Sequence, residues 1–166
     1  MRQFLIIILL VSVTGCKDED TFRPDVKYIY SPMWKIWEIR YFHPVAGNEN
    51  FIIRTRDIEI RYIFTESIVY KSFDRGKNFI RYSTRHISLD SISFASLDST
   101  ESGSESYRVR SMFVSGDASP VEDSLRNERD ALFPEIGGKL LFLQLENKKK
   151  TVIENQEYTE FLMLYN

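Results

Sequence analysis

Asp57-Ile58-Glu59-Ile60-Arg61-Tyr62-Ile63-Phe64 puts Ile58, Ile60, Tyr62 and Phe64 at every second position, with Asp57, Glu59 and Arg61 between them. A period of two is the signature of a strand with one face on a core and one in water. The same residues on a helix would scatter their apolar groups around the axis. This octet therefore sets the chain's class as β, and its neighbours repeat the pattern. Upstream, Trp37, Ile39 and Tyr41 alternate with Glu38 and Arg40 in a strand that begins near Met33. Downstream, Ile68 and Tyr70 continue the alternation to Asp74-Arg75-Gly76-Lys77, where glycine supplies a positive φ for a turn. Ile80, Tyr82 and Thr84 resume it, so 66–85 reads as a hairpin.

Further strands are expected at 86–90, 91–97 and 107–114, with a Ser- and acid-rich loop from Leu97 to Ser106. The last two, Lys139 to Leu145 and Tyr158 to Tyr165, are apolar on both faces and should form a hairpin through Asn147-Lys148-Lys149-Lys150 and the polar stretch after it. Two apolar faces imply that something packs outside the sheet there. One helix is marked. Ser119-Pro120-Val121-Glu122 is a capping box with proline at the first helical position, and Val121, Leu125 and Leu132 follow at helical spacing. Pro134 and Gly137-Gly138 end the run, which makes this helix the candidate cover for the final hairpin.

Eight or nine short strands with one helix before the last hairpin predict a mostly β fold, an antiparallel barrel, with a β-sandwich as the alternative. Twelve Phe and nine Tyr favour strands, and a bulky inward set (Ile58, Ile60, Tyr62, Phe64, Tyr70, Tyr82) favours a filled interior.

The N-terminus carries an address. Arg2 gives a cationic start, Phe4 to Val11 an apolar stretch too short to cross a bilayer, and Val13-Thr14-Gly15 leads into Cys16, the sole cysteine. Val13-Thr14-Gly15-Cys16 resembles a bacterial lipobox, whose cysteine is acylated and begins the mature protein. Several acyl chains make a durable anchor where one holds only reversibly. Lys17-Asp18-Glu19-Asp20 resembles the lysine-plus-acid export signal of surface lipoproteins in Bacteroidetes-type bacteria, which implies the outer membrane, facing the cell exterior. The expected organisation is a signal peptide at 1–15, a lipidated polar tether at 16–32 containing Pro24 and Pro32, and a barrel domain at 33–166.

Met33-Trp34-Lys35-Ile36-Trp37-Glu38-Ile39 at the head of the domain, the meandering strands and the closing Gly138-Lys139-Leu140-Leu141 strand resemble the small lipocalin-like lipoproteins of the same bacteria. In that family a first-strand tryptophan plugs one end of the barrel. The resemblance assigns this role to Trp34, with Trp37 as a substitute. Pro32 stands where lipocalins carry glycine.

Catalytic chemistry is sparse. His43 precedes Pro44 and His86 ends a strand, without a matched set of metal-ligating partners. Asp57 and Glu59 share a solvated strand face. The sequence has no phosphate-binding glycine loop and no nucleophile elbow. A net charge of −2 argues against nucleic acid as a partner, although basic residues outnumber acids by eight to four between Arg54 and Arg85. The reading is a non-enzymatic binding or interaction module of the cell envelope, without metal or cofactor. Its expected partners are the membrane through its anchor and an envelope protein or glycan. The alternative is a carrier of a small apolar ligand or lipid.

Overall fold

The computed structural model describes residues 22–45, 48–55, 58–97, 103–117, 124–136 and 138–166. The first strand, β1 (Trp34–Val45), is hydrogen-bonded along both edges. One edge pairs with the last strand, β9 (Gln156–Tyr165), from Lys35↔Tyr165 to Phe42↔Thr159. The other edge is shared by two strands in succession. Trp34 and Lys35 pair with β3 (Arg61–Phe64), and Ile39 to Val45 pair with β2 (Asn48–Thr55). From β3 the sheet runs through β4 (Ile68–Ser72), β5 (Ile80–Ile87), β6 (Ser91–Ser96), β7 (Ser104–Asp117) and β8 (Lys139–Ile153) to β9. Every described pairing is antiparallel between neighbours in this order, and the β1–β9 pairing closes the sheet. Because β2 and β3 occupy one edge of β1, the closed circumference is eight strands. The fold is a meandering barrel, and closure removes the exposed edges that a sandwich would leave.

Each part of the sequence pattern has its counterpart, with shifts that have physical causes. The octet 57–64 is strand only from Arg61 onward, but Ile58 and Ile60 still pack against the core that buries Tyr62 and Phe64; Asp57 lies outside the described residues. Strand β2 was missed by periodicity. A single strand, β5, joins 80–85 to 86–87, because a bulge between Thr84 and His86 resets the alternation without ending the pairing, and 88–90 form the turn to β6. In β4 it is Val69 and Lys71 that face inward, opposite Phe64 and Tyr62, so Ile68 and Tyr70 face outward. Both sets contain large apolar groups, and only the register chooses between them. The final hairpin turns at Glu154-Asn155, whose φ values of 50° and 63° suit the left-handed positions of a two-residue turn. The run Asn147-Lys148-Lys149 is instead a bulge within β8.

The helix α1 (Ser124–Leu132) precedes the final hairpin, as expected. Its proposed capping box at Ser119-Pro120-Val121-Glu122 lies outside the described residues. Its inward anchor is not apolar: Leu132 is exposed, whereas Arg129 is fully buried. The Arg129 guanidinium donates to Asp130 Oδ1 at 2.6 and 2.9 Å and to the main-chain oxygen of Asn166. The helix is thereby fixed to the barrel end rather than laid over the outside of β8 and β9.

That end is closed. Phe22 and the 3-10 turn Val26–Tyr30 pack under the sheet, with Tyr28 and Ile29 buried. Residues 22–32 are therefore part of the domain and not of a tether, because their apolar side chains complete its core. Phe133 meets the Tyr28 ring edge-on at 5.1 Å, and Ile136, from the 3-10 turn Pro134–Ile136, is buried beside it. Glu135 accepts hydrogen bonds from Lys27 Nζ at 2.7 Å and Tyr28 Oη at 2.8 Å. These donors hold its pKa at about 2, below the ordinary 4.5. Asp74 in the β4–β5 turn is likewise held at about 2 by Asn78 and Ser72.

Two outcomes are expected. Both carboxylates have folded pKa values below their unfolded ones, so their stabilisation is complete above about pH 4.5 and is lost as pH falls towards 2. Urea midpoints measured across that window should fall, and the fall should be smaller in Glu135→Gln. Separately, Trp34→Ala should lower unfolding free energy by about 3–5 kcal/mol in urea titration, the usual cost of truncating a buried tryptophan.

Candidate functional site

The barrel interior changes character along its axis. Towards the closed end it is apolar: Trp34, Ile36, Phe64, Val69, Ile92, Leu141, Leu143 and Leu164 are buried together. Trp34 is fully buried, and its Nε1 donates to the carbonyl of Ile29 at 2.8 Å, tying the 3-10 turn to the barrel floor. Trp37 is placed differently. Next to inward Ile36, it lies on the outer surface, half exposed against Tyr165, and a bulge between Ile36 and Glu38 puts Ile39 and Tyr41 out of phase with it.

Towards the other end the inward positions become polar. This end carries the β4–β5 turn and the tip of the β8–β9 hairpin, as the up-and-down strand order requires. Lys71, opposite Tyr62 in register, reaches Glu105 Oε1 at 2.6 Å, and Tyr107 Oη donates to Glu105 Oε2 at 2.6 Å. The Lys71 ammonium also lies 5.3 Å from the Tyr62 ring centroid and 4.9 Å from that of Phe73. Across the barrel, Glu160 accepts from Asn147 Nδ2 at 3.0 Å and interacts with the Tyr41 hydroxyl, its cross-strand neighbour. His43 follows on the same face, its ring 5.1 Å from Tyr158 and its Nδ1 2.9 Å from the carbonyl of Glu157.

Burial and electrostatics tune this layer. Burial pushes the Tyr62 hydroxyl well above its usual 10, and the Glu105 and Glu160 carboxylates add to the effect. Burial does the same to Tyr107, with Tyr62 and Glu105 beside it. Both phenols are thus held neutral as hydrogen-bond donors. A buried ion pair flanked by tyrosines is costly to assemble and gives little net stability over an apolar filling.

Sequence reading named Tyr62 and Tyr82 as inward bulk but did not single out Lys71, Glu105, Tyr107, Asn147 or Glu160. These come from four different strands, β4, β7, β8 and β9, spread along the chain. The one local signal was Lys71 at an alternating position between apolar neighbours. On the rim of the mouth, Phe79, Ile80, Arg81 and Leu97 line a cleft of about 320 Å³. His86 contacts Ser88 Oγ at 3.0 Å, away from His43, and no cluster of three metal-ligating side chains forms among the described residues. Glu59 is exposed and pairs with Arg75 at 3.2 Å. Cys16, Lys17, Asp18 and Glu19 lie outside the described residues. Among the described residues no helix is long and apolar enough to cross a membrane.

Comparison with protein-family models, curated proteins and solved structures finds no match to this chain. The mouth therefore has to be read from its own chemistry.

Lys71→Met should cost about 1–2 kcal/mol in urea titration, because it leaves the partly buried Glu105 without its cation. The double variant Lys71→Met/Glu105→Leu should recover most of that loss. Above pH 10 the protein should lose stability, since Tyr62 and Tyr107 ionise more readily unfolded than folded. Their absorbance change at alkaline pH should coincide with unfolding.

Proposed function

We propose that the protein is a lipid-anchored binding module of the outer membrane, and that it takes a hydroxyl-rich ligand, of the kind a surface glycan presents, at the polar mouth of its barrel. The observation that carries this reading is the inward layer of Lys71, Glu105, Tyr62, Tyr107, Tyr41, Glu160 and Asn147 above an apolar floor. Carboxylates and an amide accept and donate hydrogen bonds to hydroxyl groups, and tyrosine rings pack against the C–H faces of a sugar. The sequence supports the address: Cys16 receives the acyl chains, and Lys17-Asp18-Glu19 directs export to the cell exterior.

The lipocalin-like resemblance fits a closed eight-stranded barrel with Trp34 at one end. A carrier of small apolar ligands is the second reading. It is favoured by the rim cleft, where Phe79, Ile80 and Leu97 offer apolar surface.

The full-length protein, probed on a glycan array and by calorimetry with the hits, should lose at least tenfold in affinity in Glu160→Gln with its urea midpoint little changed. No glycan binding, together with retention of a fluorescent fatty-acid probe that Leu97→Ser abolishes, would replace the first reading with the second. For the address, Cys16→Ala should abolish incorporation of labelled palmitate. Protease added to intact cells should degrade the protein; survival there would remove the exterior placement.

A further inference from the structure

Four aromatic side chains form a row across the outside of the barrel, one from each of four neighbouring strands. Phe113 of β7 stands opposite Phe142 of β8, Phe142 opposite Tyr165 of β9, and Trp37 of β1 meets Tyr165. The Phe113 and Phe142 rings stack at 5.2 Å, and the Trp37 and Tyr165 rings meet edge-on at 5.6 Å. Trp37 is 50% exposed and Phe113 37%. The barrel does not need this row for its interior, which at the same level is filled by Leu141, Leu143, Leu164 and Trp34. The helix expected to cover the final hairpin is fixed to the barrel end through Arg129 and Asn166 instead.

The row has a definite place and chemistry. It lies towards the closed end, where β1 begins and β9 finishes and where Phe22 and the turn Val26–Tyr30 pack. Cys16 is six residues before Phe22, so an acylated Cys16 can stand no more than about 20 Å from that packed residue. Indole and phenol rings, apolar in body and polar at one edge, favour the headgroup layer of a bilayer. The Lys35 ammonium, 5.9 Å from the Tyr165 ring, adds attraction to an anionic lipid surface.

We infer that the row Phe113–Phe142–Tyr165–Trp37 docks on the phospholipid interface, so that the closed end of the barrel faces the membrane and the polar mouth faces away from it. The inference rests on the lipid-anchor reading above. It turns a tethered domain into an oriented one, because a short tether and an aromatic face on the same end act together. The ligand site is then held at the side of the molecule farthest from the bilayer.

The chain's two tryptophans make the test direct, since Trp34 is fully buried and Trp37 half exposed. Protein taken from its membrane is reconstituted into phosphatidylcholine–phosphatidylglycerol vesicles, with and without brominated acyl chains. The difference between wild type and Trp37→Phe then reports Trp37 alone. Docking predicts a blue shift and at least twofold quenching of Trp37 by brominated lipid, both reduced in Phe113→Ser. Mass spectrometry of the same sample shows whether Cys16 is acylated. An acylated protein whose Trp37 is unquenched overturns docking and leaves the anchor standing. An unacylated protein overturns the anchor, and quenching of Trp37 in it still decides docking. A doubled mass in detergent-free buffer, with Trp37 shielded from acrylamide before vesicles are added, gives the row to a second copy and overturns the bilayer as its occupant.

Discussion

Strand β1 is the constraint on which the molecule depends. It gives one edge to β9 and the other to β3 and then β2, so it alone converts a meander into a closed barrel. Apart from the pairings of β1 with β3 and β9, every described pairing joins strands adjacent in the chain. The β1–β9 pairing joins the two ends of the domain and carries the largest loop-closure entropy. Trp34 sits at its start, buried over the floor and bonded to Ile29, and Asn166 at its finish accepts from Arg129. The closing seam is thus clamped at the end where both of its strands meet the 3-10 turns and the helix.

The same strand changes phase at one irregularity. Before the bulge, Trp34 and Ile36 point inward; after it, Ile39, Tyr41 and His43 do. Trp37, next to inward Ile36, faces out beside Tyr165 by simple alternation. The extra residue of the bulge turns Tyr41 inward towards Glu160, where unbroken alternation would have left it outside.

Charge follows the same division. At the closed end, Glu135 ties the N-terminal turn to the segment before β8. At the mouth, the Lys71–Glu105 pair and Glu160 are set among phenols whose pKa values burial raises. The first arrangement brings together two chain segments more than one hundred residues apart, which gives it a structural purpose. The second joins residues of β4 and β7 inside the barrel, and the proposed ligand site rests on its polarity.

The sequence by itself determined the β class, the antiparallel meander and the helix before the last hairpin, because period-two alternation and turn residues are local properties. It also marked Trp34 as a residue of interest through its place at the head of the domain. It misjudged the phase of β4 and the face of Trp37, and it ended β8 well short of Ile153. Val69 and Lys71 against Ile68 and Tyr70 is a choice between two half-apolar faces, which only the partner strands settle. Bulges leave no periodic trace of their own. The tertiary structure alone decided that residues 22–32 belong to the core, that a charged residue anchors the helix, and that Lys71, Glu105, Tyr107, Asn147 and Glu160 meet in one layer. Those residues are brought together by barrel closure and strand register, which depend on the whole chain at once.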